Sequence, residues 1–509
     1  MKFLSSLAEM EQARDSYWSR YERTAPIRLR WRAAAVRHCF HVLPGESILE
    51  FGAGSGQWTE RLSAALRGEC PITAVCFNPE LAERCRAKRI PNVSVVEDVA
   101  RELEGLQFDY IVGTAILSHR DYESTLALLY KLLKPGGQIL FFEANFWNPQ
   151  VLLKSLIPPL ARWSGNAPSQ IAIRRFPLMK AASHQGFVNL EVLPFDILHP
   201  LLPRRLIRFV QNAAFVVEQA PIIRWFCGNF FIWGRKPGEH TAPARPGLLA
   251  EHRELFDSTS VVIPCRNEAA NIERLATRLI DLYGPYLREI IVVNDPGTDN
   301  TSEIVRGLMA REPKVKLIDR QPPGSFGRSL RDGVEAASGR YILTMDADFV
   351  LVLPELRDLF DAVAKGHDGA IGSRFSYDSV LINYPFTKVL SNRAFHLLVK
   401  LLLLPGIRDL SNNLKIYRSE IYKGMNIEER TFAASAETGL KPLASRYDIV
   451  ETPISWIGRT ADMGSSSFNI VGVAPDYFMT LMRLVWRTRR RRRPAVTTAS
   501  TLTTGTAGE

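Results

Sequence analysis

The chain has 509 residues, more than one hydrophobic core usually accommodates, so two domains are expected. Its composition, 46% hydrophobic and 23% charged, is that of a globular protein and excludes collagen-like and largely disordered classes. The net charge of +11 is unevenly distributed, because Arg487 and the run Arg489–Arg493 supply six positive charges in one short stretch. The rest of the chain is only mildly basic, and we therefore expect no nucleic-acid partner.

The cysteine pattern and the apolar segments bear on the location of the protein. The six cysteines are scattered without CxxC spacing, which is typical of reduced thiols and not of a zinc or disulfide framework. The first residues turn polar after a very short apolar patch, and no stretch reaches the ~18 uncharged apolar residues of a membrane-spanning helix. We expect a cytoplasmic protein without a signal peptide or a membrane span.

Strand-like and helical segments alternate along the first half of the chain. Helical patterns such as 58–66 and 122–133 separate the strand-like runs. The expected strands are 47–51, 72–77, 93–96, 109–113 and 138–143. This alternation predicts an α/β domain with a Rossmann-like doubly wound sheet over residues 1–236.

The sequence ILEFGAGSG at 48–56 runs from an apolar strand into a glycine-rich turn. Glycine there lets the backbone turn sharply and approach a ligand closely. Such a triplet is common by itself, but FDYIVGTAILSH at 108–119 and LLKPGGQILFFEANF at 132–146 follow at suitable distances. Together these segments resemble the class I S-adenosylmethionine-dependent methyltransferases. Another dinucleotide-type Rossmann domain is the alternative.

The resemblance implies S-adenosylmethionine as cofactor, with its methionine part over Glu50, Gly52 and Gly54 and its adenine near Asp98. Gly56 completes the implied binding turn. The family usually ends its second strand in an acid that binds the ribose hydroxyls, but Cys76 stands there in this chain. Asn78 or Glu80 could substitute in part. Otherwise cofactor affinity is lowered, or this half is degenerate and acts as a docking module.

Polar residues after the fourth and fifth strands are candidates for the acceptor side of this first site. His119 follows the fourth strand and is a candidate general base, with a loop-capping role as the alternative. Glu143 and Asn145 end the fifth strand and are candidates to shape the acceptor pocket. These residues do not indicate which atom is methylated.

A second alternation of strands and helices begins after residues 237–254, a stretch rich in proline and glycine that is expected to be a linker. The expected strands are 259–263, 289–293, 315–318, 340–345 and 369–372. They predict a second α/β domain over residues 255–486. Residues 487–509 are expected to be a basic, disordered tail.

The tripeptide Asp346-Ala347-Asp348 ends one of these strands. Residues i and i+2 of a strand point to the same side, so both carboxylates can face one metal–diphosphate cluster. The motif is frequent by chance, but VIPCRNE at 262–268, IIVVNDPGTDNT at 290–301 and GRSLRDGVEAASGRYILTMDAD at 327–348 accompany it in order. This order resembles glycosyltransferase family 2, whose domain has the GT-A fold, and within it the dolichyl- or polyprenyl-phosphate hexosyltransferases.

The resemblance implies sugar transfer from a nucleotide-sugar donor to a lipid-phosphate acceptor, with Mg²⁺ or Mn²⁺ as a further cofactor. Asp346 and Asp348 are the implied metal ligands and catalytic residues. The implied donor-binding residues are Pro264, Arg266, Glu268, Asp295, Arg374 and Arg459. Asp409 and Glu437 match family residues near the acceptor and are further catalytic candidates. For the residues from Arg374 onward, a structural role is the alternative.

Three departures from the second family's pattern are visible. Asn294 replaces the first acid of a two-acid strand end, and Asn412 and Asn413 replace a glycine-containing segment, which leaves the acceptor pocket open to question. A serine run after Gly464 replaces a late lysine.

The residues after Phe468 carry apolar side chains near helical spacing and end in the arginine cluster. An interfacial helix on an anionic membrane has this pattern, and a helix packed on the core with a solvated tail is the alternative. We expect a bifunctional enzyme, peripheral on the cytoplasmic face of a membrane, that glycosylates a lipid phosphate and methylates a related sugar or lipid intermediate. The alternative is a glycosyltransferase with a passive first half.

Overall fold

The computed structural model describes residues 2–157, 159, 167, 170–171, 173–240, 245–351, 353–403, 406–458 and 470–491. The described residues contain two seven-stranded mixed sheets with helices packed on their faces. Expectations that concern Arg459, Gly464 and most of the arginine tail lie outside the described residues.

The first sheet has the strand order β3-β2-β1-β4-β5-β7-β6. Strands β1 to β5 are parallel, and β7 is antiparallel to both of its neighbours. The strands are β1 (Ile48–Phe51), β2 (Ile72–Val75), β3 (Val93–Val96), β4 (Phe108–Thr114), β5 (Leu133–Ala144), β6 (Val188–Phe195) and β7 (Asn229–Arg235). The helices of this half are α1 (Lys2–Arg20), α2 (Ala25–Phe40), α3 (Gln57–Ala65), α4 (Pro79–Ala87), α5 (Val99–Glu102), α6 (Tyr122–Leu132), α7 (Pro149–Leu156), α8 (Arg175–His184) and α9 (Arg204–Val217).

The second sheet has the strand order β10-β9-β8-β11-β14-β12-β15. Its strands are β8 (Thr259–Cys265), β9 (Leu287–Asn294), β10 (Val315–Asp319), β11 (Tyr341–Thr344), β12 (Gly369–Ser373), β14 (Lys415–Arg418) and β15 (Ile449–Pro453), and β13 (Leu381–Ile382) pairs separately with β16 (Trp456–Ile457). The helices are α10 (Ile272–Tyr283), α11 (Thr301–Arg311), α12 (Phe326–Ala336), α13 (Leu356–Ala364), α14 (Phe386–Leu403), α15 (Ser419–Gly424), α16 (Ala434–Ala444) and α17 (Ile470–Arg491). Strand β14 is antiparallel to β11 and β12, whereas β8 to β11 are parallel.

Burial explains why the central strands read as unbroken apolar runs. Every residue of β1, β4 and β8 is buried, as expected for parallel strands that helices cover on both faces. The order of the strands reverses between β1 and β4 in the first sheet and between β8 and β11 in the second. Ligands of open α/β sheets bind in the crevice at such a switch point, beyond the carboxyl ends of the strands. Each sheet therefore has one expected binding crevice.

The predicted fold class, two α/β domains, is confirmed. The ten expected strands correspond to β1–β5 and β8–β12. The sequence pattern did not indicate β6, β7, β14 or β15. Strands β6, β7 and β14 pair antiparallel, and all four lie outside the strand–helix–strand rhythm on which the prediction depended.

The two halves contact each other through charged groups on α2, in the segment after α3, and at the start of α13. Glu355 is buried, with its Oε1 2.9 Å from Nδ1 of His38 in the first half. Burial opposes ionisation of Glu355, but His38, His41 and Ser455 outweigh this effect and lower the pKa of Glu355. Arg357 donates two hydrogen bonds of 2.6 Å to the carboxylate of Glu69. We call this interface the α13 interface, and its Glu69–Arg357 pair joins residues 288 positions apart.

Candidate active sites

The glycine-rich turn lies at the carboxyl end of β1. Gly52, Gly54 and Gly56 all have left-handed φ angles, of +81°, +61° and +74°. A Cβ atom on Gly54 would lie 2.8 Å from Arg14 Nη2, so both the backbone conformation and the available space require glycine at that position. Glu50 lies buried beneath the turn, and burial raises its pKa to about 8. Side chains of α1, and not open space, lie against Gly54 in this structure.

Helix α1 supplies a charged cluster to this turn, which we call the α1 cluster and which consists of Glu11, Arg14 and Asp15. The carboxylate of Glu11 accepts hydrogen bonds from the backbone N–H of Gly54 at 2.9 Å. Asp15 Oδ1 accepts from the Ser55 hydroxyl at 2.6 Å, and Arg14 Nη1 donates to Thr114 O at 2.9 Å. All three side chains are buried. The sequence analysis did not predict a role for these residues. The visible signal was the spacing of charged residues at 11, 14 and 15 among the apolar Leu7, Met10 and Trp18.

The residues expected at the ribose and adenine positions have defined roles in the fold. Asp98 is exposed at the end of β3, where its side chain accepts from the N–H of Ala100 and Arg101 and caps α5. Asn78 caps α4 in the same manner. Cys76 is buried, and its thiol donates to Gly54 O at 3.4 Å. Asn78 is therefore already engaged, and Cys76 offers no charged acceptor.

On the acceptor side, the candidates of the first half are tied to backbone groups. His119 is buried, its Nδ1 accepts from Asp121 N at 3.2 Å, and its Nε2 lies 3.0 Å from the Thr125 hydroxyl. This is the geometry of the loop-capping alternative. Glu143 Oε1 accepts from the N–H of Ile116 and of Leu117, each at 2.9 Å. These side chains fix the loop after β4, which borders a cavity of about 2220 Å³ at the ends of β4 and β5.

The second site surrounds a cavity of about 2600 Å³ beyond the ends of β8 and β11. Seven of the residues predicted for this site line it: Pro264, Arg266, Glu268, Asp295, Asp346, Asp348 and Arg374. They come from separate segments of the chain, so the fold brings together what the sequence separates by more than one hundred residues. Asp409 and Glu437 lie behind the wall of the cavity and are not among its lining residues.

Asp346 and Asp348 follow β11 directly, at the switch point of the second sheet. Burial and the neighbouring Asp348 raise the pKa of Asp346 well above its usual range, which a cation would reverse. Asn413 Nδ2 donates to Asp346 Oδ1 at 2.9 Å, while the buried Asn413 Oδ1 has no hydrogen-bond partner in the described part of the chain. Two carboxylates and an amide oxygen are ligands that Mg²⁺ and Mn²⁺ accept, so the residues present fit a divalent cation.

The described residues contain no cluster of three or more acidic, histidine or cysteine side chains suited to a metal ion. A cation at Asp346 and Asp348 would therefore complete its coordination shell with ligand oxygens and water, as Mg²⁺ commonly does in nucleotide sites.

Asp295 is held in place by three donors. Arg320 Nη1 donates to its Oδ1 at 2.5 Å, the Ser329 hydroxyl donates to the same atom at 2.6 Å, and Ser325 N donates to Oδ2 at 2.5 Å. The neighbouring Asn294 donates to the Ser302 hydroxyl at 2.7 Å. The carboxylate of Asp295 is thus oriented by its surroundings at the edge of the cavity.

Arg374 reaches the cavity from β12 and forms a two-pronged ion pair with Asp409. Its Nε donates to Asp409 Oδ2 at 2.7 Å and its Nη2 to Oδ1 at 3.0 Å. Burial opposes ionisation of Asp409, but the adjoining guanidinium outweighs it and holds the pKa of Asp409 below its usual range. Asp409 therefore orients Arg374 from behind.

Glu437 supports a loop of the cavity wall. Its carboxylate accepts from the N–H of Glu428 at 3.1 Å and of Glu429 at 2.8 Å, and it pairs with Lys441 at 2.6 Å. Arg430 and Phe432, which follow in the same loop, line the cavity. The structure thus places Glu437 one layer away from the cavity, and a part in the reaction itself stays a prediction.

The sequence reading also missed Lys415, a fully buried lysine at the start of β14. Its Nζ donates to the backbone oxygens of Ser435, at 2.8 Å, and of Asn412. Burial lowers the pKa of Lys415 to about 7, against the attraction of Asp409 and Asp346. The sequence signal for a buried charge was a lysine next to the apolar residues of β14.

The helix α17 is packed on the second half along part of its surface. Leu481, Leu484 and Val485 are buried in the core, and Arg487 forms an ion pair with Glu428 at 2.6 Å. Phe478, Met479 and Trp486 are exposed on the same helix, as are Leu397 and Leu401 on the neighbouring α14. No helix among the described residues combines the length and apolar content needed to cross a bilayer.

Comparison with known proteins agrees with these two sites. Residues 48–137 match the methyltransferase domain family, and residues 260–425 match glycosyl transferase family 2. A dolichol-phosphate mannosyltransferase of Pyrococcus furiosus is 30% identical over 200 residues, which are 39% of this chain and 56% of that protein, so the chain spans about half the length of this relative. A polyprenol monophosphomannose synthase of Mycolicibacterium smegmatis is 25% identical over 45% of this chain and 85% of that protein.

Among solved structures, a SAM-dependent methyltransferase of Thermotoga maritima, described as a possible histamine N-methyltransferase, is similar with a TM-score of 0.32 and 18% identity over 45% of this chain and 99% of that one. The family matches account for both crevices, the glycine-rich turn in the first and the Asp346–Asp348 pair in the second. The chain carries a methyltransferase domain followed by a glycosyltransferase domain of family 2.

Proposed function

We propose that the second half transfers a hexose from a nucleotide-sugar donor to a polyprenyl-phosphate acceptor in a reaction that requires a divalent cation. The observation that carries this proposal is the Asp346–Asp348 pair, which faces the second cavity at the switch point of the sheet. Four charged candidates also line this cavity, and two more support its wall from behind: Arg266, Glu268, Asp295 and Arg374, and then Asp409 and Glu437. The names of the two relatives support the acceptor class, since one is a dolichol-phosphate mannosyltransferase and the other a polyprenol monophosphomannose synthase.

The roles of the residues follow from their positions. The cation held by Asp346 and Asp348 would neutralise the diphosphate leaving group. Arg374, fixed by Asp409, and Arg266 present positive charge to phosphate oxygens in the cavity. Asp295, oriented by three donors, is positioned to accept from the hydroxyl or amino groups of the nucleoside. An acceptor phosphate is already anionic, so its attack needs no general base from the protein.

The test is a product assay with the purified full chain. We expect a sugar-linked lipid when the protein receives a GDP- or UDP-hexose, a short polyprenyl phosphate and Mg²⁺ or Mn²⁺, identified by mass spectrometry. EDTA should abolish the product and excess cation should restore it. Equal transfer in EDTA would overturn the cation dependence, and transfer only to non-phosphorylated acceptors would overturn the acceptor class.

We further propose that the first half binds S-adenosylmethionine over the Gly52–Gly56 turn and methylates a related sugar or lipid intermediate in the adjoining cavity. The bound cofactor would supply the methyl group, and the backbone of the turn would hold it. The cavity at the ends of β4 and β5 supports this proposal because it lies beside the crevice of the first sheet. The alternative is a passive half that serves as a docking module.

Calorimetric titration with S-adenosylmethionine separates these two possibilities. We expect binding heat for the wild type and none for Gly54→Val, because valine at a left-handed φ of +61° would strain the turn and displace the adjoining Arg14 side chain. Gly105→Val is the matched control, since Gly105 has a similar φ of +73° but open space around it, far from the turn in sequence. Absence of binding heat for the folded wild type would favour the docking module.

We propose, as a third element, that the protein docks on an anionic membrane through the arginine cluster and the exposed apolar residues of α17 and α14. Each basic residue near such a surface contributes about 1 kcal/mol, and an apolar face beside it adds insertion energy. A lipid-phosphate acceptor would itself lie in that membrane. The cytoplasmic face, which carries anionic lipid, is the expected site.

Deletion of residues 488–509 tests this docking while leaving the Arg487–Glu428 ion pair in place. Binding to vesicles with anionic lipid should fall and lose most of its salt dependence. Turnover on a short water-soluble acceptor should change little, because no residue assigned to the cavity is removed. A full-length control with Arg489–Arg493 replaced by lysine should still bind. Undiminished pelleting of the truncated chain would show that the cluster is only a solvated tail.

A further inference from the structure

The cavity at the ends of β4 and β5, here called the first cavity, is bordered by exposed apolar residues. Leu153 on α7, Leu201 and Phe226 line this cavity and are 50%, 69% and 52% exposed. Hydrogen bonds join the segments that carry them. Asn148 Nδ2 donates to Phe226 O at 2.9 Å, and His199 Nε2 lies 3.2 Å from the side-chain oxygen of a glutamine on α7. The three apolar residues therefore belong to one surface beside the mouth of the cavity.

The same segments carry further exposed apolar residues. Leu206 and Phe209 are three positions apart on α9, which begins three residues after Leu201, and Ile222 precedes Phe226 by four residues. Exposed apolar side chains concentrated in this way mark a contact with a protein or a membrane. We call the six residues the apolar rim: Leu153, Leu201, Leu206, Phe209, Ile222 and Phe226.

The charges in the segments around the apolar rim are mostly positive. Residues 145–238 contain eleven lysines and arginines but three acids. Asp196 pairs with Arg28 at 2.7 Å, and Glu218 accepts from the N–H of Asp196 at 2.9 Å. The third acid, Glu191, lines the second cavity. The rim therefore combines exposed apolar side chains with an excess of positive charge.

Helix α9 shows this combination within one element. Ile207 is buried, whereas the residues around it are exposed: Arg204, Arg205, Leu206, Arg208 and Phe209. Arginine side chains reach lipid phosphates while neighbouring apolar side chains enter the acyl region of a bilayer. An anionic bilayer offers negative charge and an apolar phase over the whole surface at once. The composition of the rim therefore favours a membrane over a protein partner.

Helix α9 also connects the apolar rim to the membrane contact proposed above for the second half. It packs against α14, and α14 packs against α17. Exposed apolar residues occur on all three helices. The three helices thus follow one another across the two halves, and one bilayer can contact both.

We propose that the apolar rim docks the first half on an anionic membrane, with the mouth of the first cavity turned towards the acyl chains. This contact is separate from the arginine cluster and from α17, and it does not depend on the proposed methyl transfer. It gives molecules of the bilayer direct access to the first cavity.

The first test is co-sedimentation of the full chain with vesicles of phosphatidylglycerol and phosphatidylcholine. For the double variant Leu206→Ser/Phe209→Ser we expect the affinity to fall at least about 10-fold, because burying a single leucine or phenylalanine side chain contributes roughly that factor. The loss should persist at high salt, where the attraction of the arginine cluster is screened. Leu106→Ser/Met309→Ser is the matched control, since it removes two exposed apolar side chains elsewhere and should bind as the wild type does.

A second variant tests the basic residues of α9. Arg204→Gln/Arg205→Gln/Arg208→Gln should bind the same vesicles roughly 100-fold more weakly at low salt, the factor that corresponds to about 1 kcal/mol for each of three basic residues. At high salt its affinity should be close to that of the wild type. Unchanged melting temperatures would show that the variants are folded.

A third measurement determines which way the first cavity faces. The six native cysteines are buried, so one introduced cysteine can be labelled selectively. A fluorophore on Leu201→Cys should be quenched by vesicles whose lipids carry brominated acyl chains. The same fluorophore on Leu106→Cys should not be quenched, because Leu106 precedes the amino end of β4 and the cavity lies at the carboxyl end.

Undiminished vesicle binding by Leu206→Ser/Phe209→Ser would overturn the inference. Absence of quenching on Leu201→Cys would also overturn it. If the wild type associates with itself in ultracentrifugation and the double variant does not, while both bind vesicles equally, the rim is instead a contact between two copies of the chain. A wild type that binds vesicles through the rim but gives no binding heat with S-adenosylmethionine would overturn the proposed methyl transfer and leave this inference in place.

Discussion

Replacing Asp348 by alanine should lower the turnover of sugar transfer at least ~100-fold, the loss expected when a group that stabilises developing charge is removed. Asp346 and Asp348 would share one cation, and neither carboxylate alone can hold it against water while the diphosphate leaves. The affinity for the cation should fall together with turnover. The measurement is a turnover assay over a Mn²⁺ titration, with the product followed by mass spectrometry.

The matched control is Glu335→Ala, which removes an exposed carboxylate from α12 and should leave turnover within twofold of the wild type. High Mn²⁺ should restore part of the activity of Asp348→Ala if the loss is one of metal affinity. Near-normal transfer by Asp348→Ala at low Mn²⁺ would remove this aspartate from the metal site.

Replacing Asp409 by asparagine should lower the free energy of unfolding by about 3–5 kcal/mol, the cost of leaving one partner of a buried ion pair uncompensated. Arg374, whose side chain is 14% exposed, would lose its two-pronged acceptor and remain largely buried near the like charge of Arg393. Urea denaturation measures the change. Glu273→Gln, which breaks the exposed Arg311–Glu273 pair, is the matched control and should cost less than about 1 kcal/mol.

The same variant predicts a pH dependence. The folded-state pKa of Asp409 lies below the value of about 3.9 for an unfolded aspartate, so its stabilisation is fully present above that value. The stabilisation is lost as the pH falls through the folded-state pKa. The difference between wild type and Asp409→Asn should be constant from pH 5 to 8 and narrow below about pH 4. A constant difference down to pH 3 would contradict the assigned ion pair.

The positions of both binding crevices could be predicted from the sequence because each central strand is an apolar run that ends in a recognisable motif. The turn at Gly52–Gly56 and the Asp346–Asp348 pair each end an apolar strand, and that arrangement is local in the chain. Seven of the residues that line the second cavity could be named for the same reason, since each lies in or soon after a recognisable strand.

The site residues and strands that could not be predicted come from elements far apart in the sequence. Glu11 and Lys415 contact backbone groups that only the folded chain brings to them, so their charge within apolar segments was visible in the sequence but their partners were not. The strands β14 and β15 were missed because they lie outside the strand–helix–strand rhythm from which the other strands were predicted. Glu437 was assigned to the acceptor site from its position in a motif. Such a position does not indicate how deeply a side chain is buried, and Glu437 lies behind the cavity wall.

The α13 interface has a consequence for how this chain can change over evolutionary time. Glu355, Arg357 and Asp358 of the glycosyltransferase half lie against His38, Glu69 and Arg37 of the other half, respectively. Loss of the first domain would remove the ion-pair partners of Glu355 and Asp358 and would leave Arg357 with Glu251 alone, whatever that domain catalyses. Selection can therefore preserve the fold of the methyltransferase half even in descendants whose cofactor site has decayed, because its retention keeps the neighbouring enzyme intact.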